Sequence, residues 1–214
     1  MKIVIKLPDV KLGVVEAEGV QVAPADLCLA QVMDDVCGRK RRGMTIESPA
    51  ESTRAVRAMF RAWGVDPSKY RPSSEALLRR LVQGKDLYRV SNVVDIGNLS
   101  SVETAWPFGL YDRSRLYPPI VFREGELGES YEGIGKRTWH LAGRPVLADT
   151  LGPFGSPISD STRSMITESA RDILAVAYAP AGEPDSAVEL AMARLSERLE
   201  QFAAASASRN QICR

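Results

Sequence analysis

The stretch RPSSEALLRRLVQGKDLYRVSNVVDIGNLSSVETAWPFGLYD, residues 71–112, contains two predicted helices followed by a Pro-Gly turn. The second helix carries Asn92, Asp95, Asn98 and Ser101 at intervals of three residues. Side chains three or four residues apart lie on one face of an α-helix, so two amides, a carboxylate and a hydroxyl share a face. A neighbouring apolar stripe can pack into a core and consists of Val93, Ile96 and Leu99. The polar face either lines a functional site or caps adjacent loops.

Taken together, the residues of this stretch resemble the editing domain of the phenylalanyl-tRNA synthetase β subunit, in the form found as free-standing small proteins. The similarity extends over residues 50–180 and is loose over residues 1–50. It implies one α+β domain with an N-terminal α/β extension (1–70), an editing-domain-like core (71–180) and a C-terminal helix (186–204). The family pattern R-x-x-N-x-V-D-x-x-N, then P-x-G-x-x-D, is matched by Arg89, Asn92, Val94, Asp95, Asn98, Pro107, Gly109 and Asp112.

The resemblance implies hydrolysis of mischarged aminoacyl-tRNA in trans, at the 3′ end of the tRNA. The substrate is an activated ester, so an enzyme need only position a water and stabilise the developing oxyanion. Such chemistry requires no triad, metal or cofactor, and we expect none here. The alternative is a non-catalytic tRNA- or amino-acid-binding module that keeps the fold. A hydrolase for another small aminoacyl ester is a third reading.

The family's site residues are matched only in part. Asn98 corresponds to the substrate-facing asparagine and is the expected catalytic residue. Gly97 stands at the family threonine, and Gly109 stands at the family histidine, which favours the non-catalytic alternative. Glu168 corresponds to the glutamate that reads a tyrosine phenol, or else begins a short helix after Thr167. The expected substrate-binding set is Asn92, Asp95, Gly97, Ser101, Pro107, Gly109 and Glu168. Alternative carboxylates are Glu103, Asp112 and Glu126.

The formal net charge of +1 argues against a protein that binds nucleic acid through its overall charge. Positive charge is instead clustered, in a run at residues 39–42 and on one side of a predicted helix near residues 50–63. These residues either form an ordinary solvated surface or bind tRNA phosphates with release of counterions. We expect the protein to bind tRNA and not to bind DNA. The expected RNA-binding residues are Arg39, Lys40, Arg41, Arg42, Arg54, Arg57 and Arg61.

Cysteine usage and hydropathy indicate a cytoplasmic protein that has no membrane contact. Cys28, Cys37 and Cys213 are odd in number and widely spaced, which is typical of a reducing compartment. No apolar run approaches the ~20 residues that span a bilayer, and no signal peptide is apparent. Cys28 and Cys37 would face opposite sides of a helix, and the single His140 has no second histidine, so no metal site is predicted.

Hydrophobic periodicity predicts the remaining elements. We expect the Asn92–Asn98 helix to border a pocket that Pro107–Gly109 closes, and the last ten residues to fray. The predicted elements are strands at residues 2–7 and 12–17, helices at 24–37, 48–64 and 73–84, a β-rich part at 105–165, a strand at 173–178 and a helix at 186–204.

Overall fold

The computed structural model describes residues 2–214 and has an α+β fold. The helices are α1 (Leu27–Arg41), α2 (Ser48–Ser52), α3 (Arg54–Ala62), α4 (Ser73–Val82), α5 (Asn92–Thr104) and α6 (Asp185–Ala203). The strands are β1 (Ile3–Ile5), β2 (Val10–Glu18), β3 (Phe108–Asp112), β4 (Ile120–Glu124), β5 (Ser130–Glu132), β6 (Thr138–His140), β7 (Pro145–Asp149), β8 (Gly152–Gly155), β9 (Ile173–Pro180) and β10 (Ala207–Cys213).

Two four-stranded sheets form the centre of the molecule. One is antiparallel throughout, with the order β10-β2-β9-β3, and the other has the order β1-β4-β7-β8 with β1 parallel to β4. All residues of β9 are buried, and its sequence ILAVAYAP is a continuous apolar run. Such a run is typical of a strand covered on both faces.

The β10-β2-β9-β3 sheet lies between helices and the second sheet. On one face, a Cβ atom at Gly13 of β2 would lie 2.9 Å from Val188 Cγ1 of α6, so this helix packs closely on the sheet. On the other face, the rings of Phe122 in β4 and Tyr178 in β9 have centroids 5.4 Å apart. α5 packs beside α6 on the first face, and α1 covers α5 from outside. α5 therefore contacts α1, α6 and β3, while Asn98 on its polar face stays half-buried.

Three sequence expectations about elements are wrong for identifiable reasons. α1 begins at Leu27 and not at Pro24, because the Asp26 side chain caps it by accepting from the Leu29 N–H. The predicted helix at 48–64 is two helices separated at Thr53, whose hydroxyl donates to a backbone carbonyl and to a carboxylate on α4. The last ten residues do not fray, because β10 pairs with β2 along its whole length.

The predicted N-terminal extension supplies strands to both sheets. β1 pairs with β4, and β2 lies between β10 and β9. The strand and terminal helix expected at residues 173–178 and 186–204 agree with β9 and α6 to within two residues at each end. Within residues 2–214, no helix is both long enough and apolar enough to cross a lipid bilayer.

Candidate functional site

Asn92 holds the start of α5 against two distant parts of the chain. Its Nδ2 donates to the carbonyl oxygens of Gln21 (2.9 Å) and Phe202 (2.8 Å). Its Oδ1 accepts from the N–H groups of Ala23 (3.0 Å) and Val93 (2.9 Å). Both polar atoms of this buried amide are thus satisfied by backbone groups, which is the usual condition of a buried polar side chain.

Asp95 is fully buried one turn further along α5. Its Oδ1 accepts from the Val90 N–H at 2.9 Å, while its Oδ2 has no hydrogen-bond partner among residues 2–214. Burial raises the pKa of the Asp95 carboxyl, and the backbone hydrogen bond from Val90 and the charge of Arg89 oppose that rise. The carboxylate sits in the first turn, where it interacts favourably with the positive end of the helix dipole.

Asn98 differs from the other polar residues of this face. It is half-buried, and in the described part of the chain its side chain forms no hydrogen bond. Ser91 and Val94, on the same side of α5, are also half-buried, so a partly exposed strip runs along the helix. Ser101, one turn beyond Asn98, is buried. Asn98 is thus the amide on this face that is free to bind a ligand.

Gly97 lets α5 approach β3 closely. A Cβ atom at this position would lie 2.0 Å from Leu110 Cδ1, well inside the van der Waals distance. Leu110 therefore points from β3 towards α5. Alternate residues of a strand point to opposite faces, so Gly109 and Tyr111 face away from α5.

The expected pocket between α5 and Pro107–Gly109 is therefore not formed. A Cβ atom at Gly109 would lie 2.0 Å from the Tyr111 hydroxyl oxygen and 2.5 Å from Tyr111 Cζ. The position that matches the family histidine is thus filled by a tyrosine hydroxyl on the second sheet's side of β3. Pro107 is buried, and its carbonyl accepts from the Tyr178 N–H at 3.0 Å.

The Tyr111 hydroxyl belongs to a buried polar cluster that the sequence did not suggest. It donates to Asp160 Oδ1 at 2.8 Å and lies 3.0 Å from the Tyr178 hydroxyl. The Ser156 N–H also donates to Asp160 Oδ1, at 3.1 Å. Burial raises the pKa of Asp160 from 3.8 to about 7, although the hydrogen bonds from Tyr111 and Ser156 lower it.

The raised pKa of Asp160 predicts a pH-dependent stability. The folded state holds this proton more tightly than the unfolded chain, so the contribution is fully present below pH 3.8 and is lost as pH rises through about 7. Over that window we expect the melting temperature of wild type to fall, relative to Asp160→Asn, by up to about 2–4 °C per pH unit. Thermal melts of both proteins at several pH values measure this difference. If the two melting temperatures change equally with pH, Asp160 is ionised throughout the window and the prediction is wrong.

Glu168 does not begin a helix. It is exposed in a turn, where its carbonyl oxygen accepts from Arg171 Nη1 at 2.9 Å and the hydroxyls of Thr167 and Ser169 lie 2.9 Å apart. The helix-start reading is therefore wrong. Its carboxylate makes no hydrogen bond or ion pair within residues 2–214.

The alternative carboxylates are engaged to different degrees. Asp112 is buried and accepts from the N–H and hydroxyl of Ser114, at 3.0 and 2.6 Å. Glu103 forms a two-bond ion pair with Arg198, at 2.6 and 2.8 Å. Glu126 is exposed, and among residues 2–214 its carboxylate has a single ion contact, at 3.8 Å with Arg123 Nη1. Asp112 and Glu103 therefore serve structural contacts.

The expected RNA-binding residues fall into two groups. In the engaged group, Arg41 pairs with Asp86 at 3.0 Å, and Lys40 Nζ donates to the Glu103 carbonyl oxygen at 2.9 Å. Burial lowers the pKa of Lys40. The second group consists of exposed arginines that form neither an ion pair nor a side-chain hydrogen bond within residues 2–214. Its members are Arg39, Arg42, Arg54 and Arg61.

Arg57 belongs to the engaged group because it holds a buried carboxylate. Glu75 of α4 is fully buried and contacts Arg57 at 2.7 Å, Arg79 at 2.9 Å and Arg71 at 3.6 Å. Burial raises the pKa of Glu75, but the hydrogen bonds from Arg57 and Arg79 hold it below its ordinary value. Arg57 thus fixes α3 to α4, while Arg54 and Arg61 border an open cavity of about 470 Å³ beside it.

No cluster of three histidine, cysteine, aspartate or glutamate side chains suited to a metal occurs in the part of the chain that the structure describes. The arrangement offers a free amide, exposed arginines and the half-buried carboxyl group of Asp160 beside two tyrosine hydroxyls. These groups can bind a ligand, stabilise an oxyanion and contact phosphates.

Comparison with known proteins identifies the family. Residues 55–202 match the model of the B3/4 domain. Curated relatives are phenylalanine–tRNA ligase beta subunits: that of Neisseria meningitidis serogroup A (strain Z2491) is 23% identical over 143 residues, which cover 62% of this chain and 18% of the relative. That of Neisseria gonorrhoeae (strain FA 1090) is 22% identical over 141 residues, 61% of this chain and 17% of the relative.

A solved structure is also similar, namely an N-terminal fragment of the phenylalanyl-tRNA synthetase beta subunit from Pyrococcus horikoshii. It has a TM-score of 0.46 and 15% identity, and the match covers 99% of this chain and 50% of the fragment. The match to the curated relatives spans less than a fifth of their length. The family match covers more than half of this chain, and the predicted resemblance to the synthetase β subunit is confirmed. This chain belongs to the B3/4 domain family.

Proposed function

We propose that this chain binds aminoacyl-tRNA and hydrolyses the ester that joins a mischarged amino acid to the 3′-terminal ribose. Its likeness to the beta subunits of phenylalanine–tRNA ligases supports a tRNA-linked substrate. The observation that carries the proposal is Asn98, a half-buried amide without a hydrogen-bond partner in the described chain, on a helix whose neighbouring polar groups are buried.

In this proposal, Asn98 acts on the ester carbonyl. Its Nδ2 donates a hydrogen bond to the carbonyl oxygen, which becomes negatively charged as water adds to the carbonyl carbon. The bond to the ribose oxygen then breaks, and the proton from the attacking water passes to that oxygen. The vicinal ribose hydroxyl of the substrate lies beside the leaving oxygen and can relay the proton. The reaction uses one water and produces a free amino acid and tRNA.

Other members of the expected site take different parts in this proposal. Asn92 and Asp95 hold the start of α5, and Gly97 sets the distance between α5 and β3. Ser101 lies one turn from Asn98 but is buried, so in this proposal it packs beside the site and does not contact the substrate. The exposed carboxylate of Glu168 is available to read the amino-acid side chain by accepting a hydrogen bond.

The alternative function is binding without hydrolysis. It is favoured by Gly109, because the space of the family histidine is occupied by Tyr111 and no water-positioning group reaches α5 from that residue. The two functions make different use of the same surface, since a binding module needs Asn98 for affinity only.

A deacylation panel separates the two functions. Purified chain is mixed with tRNAs that each carry one radiolabelled noncognate amino acid, and acid-precipitable label and bound tRNA are followed together. Hydrolysis predicts loss of label from at least one tRNA, and removal of the Glu168 carboxylate then changes which amino acid is released. Retention of all label on bound tRNA would assign the chain to the binding function.

The exposed arginines of α3 provide a test of tRNA contact. We expect Arg54→Gln with Arg61→Gln to weaken binding of all tRNAs similarly and to flatten the dependence of affinity on salt, because each lost phosphate contact releases fewer counterions. Fluorescence anisotropy with labelled tRNA at several salt concentrations measures both effects.

Arg57 is left unchanged in this test, because losing its charged hydrogen bond to buried Glu75 would cost about 1.5–3 kcal/mol of stability. The matched control is Arg209→Gln, an exposed arginine on β10. An affinity equal to that of wild type in the double variant would assign Arg54 and Arg61 to ordinary solvated surface.

A further inference from the structure

The strand β10 forms an open edge of the antiparallel sheet. Within residues 2–214 its only strand partner is β2, because the sheet has the order β10-β2-β9-β3. Successive residues of a strand direct their backbone N–H and C=O groups to opposite edges. The Ala181 N–H donates to the Asp9 carbonyl oxygen at 3.0 Å, so the odd-numbered residues of β2 face β9 and its even-numbered residues face β10.

The outward-facing backbone groups of β10 belong to Ser208, Asn210 and Ile212. The even-numbered residues of β2 are in register with residues 207, 209, 211 and 213, whose backbone groups therefore face β2. The N–H and C=O groups of the three residues between them point to the open edge, and no hydrogen bond within residues 2–214 uses them. Asn210 is exposed, while Ser208 and Ile212 are half-buried. The edge thus offers three donors and three acceptors to a further strand.

The other sheet edges have features that discourage pairing with another strand. β3 is partly covered, because the Asp112 N–H donates to the Ser164 carbonyl oxygen at 2.9 Å. β8 contains Pro153 and pairs irregularly with β7, and β1 has only three residues. Proline, lysine, bulges and short length are the usual protections of an edge strand. β10 has seven residues in unbroken register with β2 and contains neither proline nor lysine.

β10 is complementary to a second copy of itself about a two-fold axis. In an antiparallel pairing centred on Asn210, this residue faces its counterpart and Ser208 faces Ile212 of the second copy. Each of these three pairs exchanges two N–H···O bonds, so every outward group is used. A centre at Arg209 or Gln211 would place one outward residue beyond the end of the partner's strand. A centre at Arg209 would also set two guanidinium groups opposite each other, which is unfavourable.

The charged side chains agree with the pairing centred on Asn210. Arg209 then lies opposite Gln211 of the second copy and not opposite another arginine. On the α6 side of the sheet, Glu200 is exposed and accepts from the Ser208 hydroxyl at 3.1 Å. Arg214 of the second copy becomes the diagonal neighbour of Ser208, about 7–8 Å away, which is within reach of Glu200. The Arg214 side chain is 63% exposed, and the two-fold axis forms this ion pair twice.

We propose that this chain forms a two-fold symmetric homodimer, in which the β10 strands of two copies join their antiparallel sheets into one sheet of eight strands. The α6 helices of both copies lie on the same face of the joined sheet, with the Glu200–Arg214 pairs between them. A contact made mainly by two strands is small, so the dissociation constant is expected in the micromolar range. The dimer requires neither tRNA nor hydrolysis and is therefore independent of the proposed function.

Sedimentation velocity over a range of protein concentrations tests the dimer. The mass of wild type should rise from 23.4 kDa to twice that value. Asn210→Pro removes the N–H at the axis, which is tolerated on an open edge, and should stay monomeric. The matched control is Asn210→Ala, which also loses the contact with the Ser196 hydroxyl but keeps the N–H. It should melt like Asn210→Pro and dimerise like wild type. A wild type that is monomeric up to millimolar concentration would overturn the proposal.

Disulfide crosslinking tests the register, in a Cys28→Ser background because Cys28 is exposed. In Asn210→Cys the two Cα atoms at the axis lie about 5.5 Å apart, which suits a disulfide. In the control Ser208→Cys the counterparts are four residues out of step, about 14 Å apart. Mild oxidation should link the first variant and not the second. No link in Asn210→Cys, or equal links in both, would overturn the pairing. A monomeric wild type that binds a synthetic peptide of residues 207–213 would replace the second copy with a strand of another protein.

Discussion

Replacing Asn98 by alanine is expected to lower the rate of ester hydrolysis, at saturating aminoacyl-tRNA, by about ten- to a thousandfold. This is the range observed when one positioned donor to a developing oxyanion is removed. The free energy of unfolding should change little, since the Asn98 side chain has no hydrogen-bond partner within residues 2–214. Rates with excess protein measure the chemical step, and thermal melts of the same samples measure the folded fraction.

Two other amides on the chain serve as controls for this variant. Gln83→Ala removes an exposed amide at the end of α4 and should leave both rate and stability unchanged. Asn92→Ala removes hydrogen bonds to four backbone groups and should lower stability, because buried groups are then unpaired. An Asn98→Ala protein with the wild-type rate would exclude Asn98 from the reaction.

Gly109→His, which introduces the family's histidine, is expected to destabilise the protein by about 3–5 kcal/mol. A side chain at residue 109 would have to displace Tyr111, whose hydroxyl lies 2.0 Å from the position of the new Cβ atom. Overpacking of a core costs about 1–3 kcal/mol, and displacing Tyr111 would also leave Asp160 or Tyr178 without a hydrogen bond. Denaturant unfolding measures the loss.

The control for this variant is Gly135→His, where no atom lies within 4 Å of the added Cβ and the backbone is not left-handed. A second variant tests the cause. In a Tyr111→Ala background, Gly109→His should cost less than it does in wild type, because the obstructing ring is absent. Equal costs in both backgrounds would show that Tyr111 is not the obstacle.

The sequence predicted α5 and its polar residues, but it could not separate their roles. Periodicity placed Asn92, Asp95 and Asn98 near one another on a helix. The partners that use Asn92 are carbonyl and amide groups of Gln21, Ala23 and Phe202, which are 69 to 110 residues away. Such long-range contacts leave no local pattern, so only the structure distinguishes the engaged amide from the free one.

The predicted pocket at Gly109 was wrong because the family match was not checked against the alternation of side chains in a strand. The alternation of side chains in a strand already places Gly109 and Tyr111 on one face and Leu110 on the other. This rule could have been applied to the predicted β-rich part and would have separated residue 109 from Asn98. Asp160 gave no comparable signal, because its partners come from β3 and β9 and meet only in the folded protein.

The sequence predicted that the charged residues are clustered, but it did not predict which of them form ion pairs. Arg54, Arg57 and Arg61 recur every three or four residues, as expected for a single helix face. Glu75, which pairs with Arg57, belongs to another helix and is fully buried. Arg194 lay in the predicted terminal helix without any sign that it shares a groove with residues of α1.

The proposed function requires that the aminoacyl end of tRNA lies against Asn98 on α5. Nuclear magnetic resonance can test this directly with an adenosine whose 3′ oxygen is replaced by nitrogen, so that the amino acid is held by a stable amide. We predict nuclear Overhauser contacts between the aminoacyl group and the Asn98 side-chain amide protons, and weaker binding of the analogue to Asn98→Ala. Binding of the analogue with its contacts confined to residues away from α5 would contradict the account.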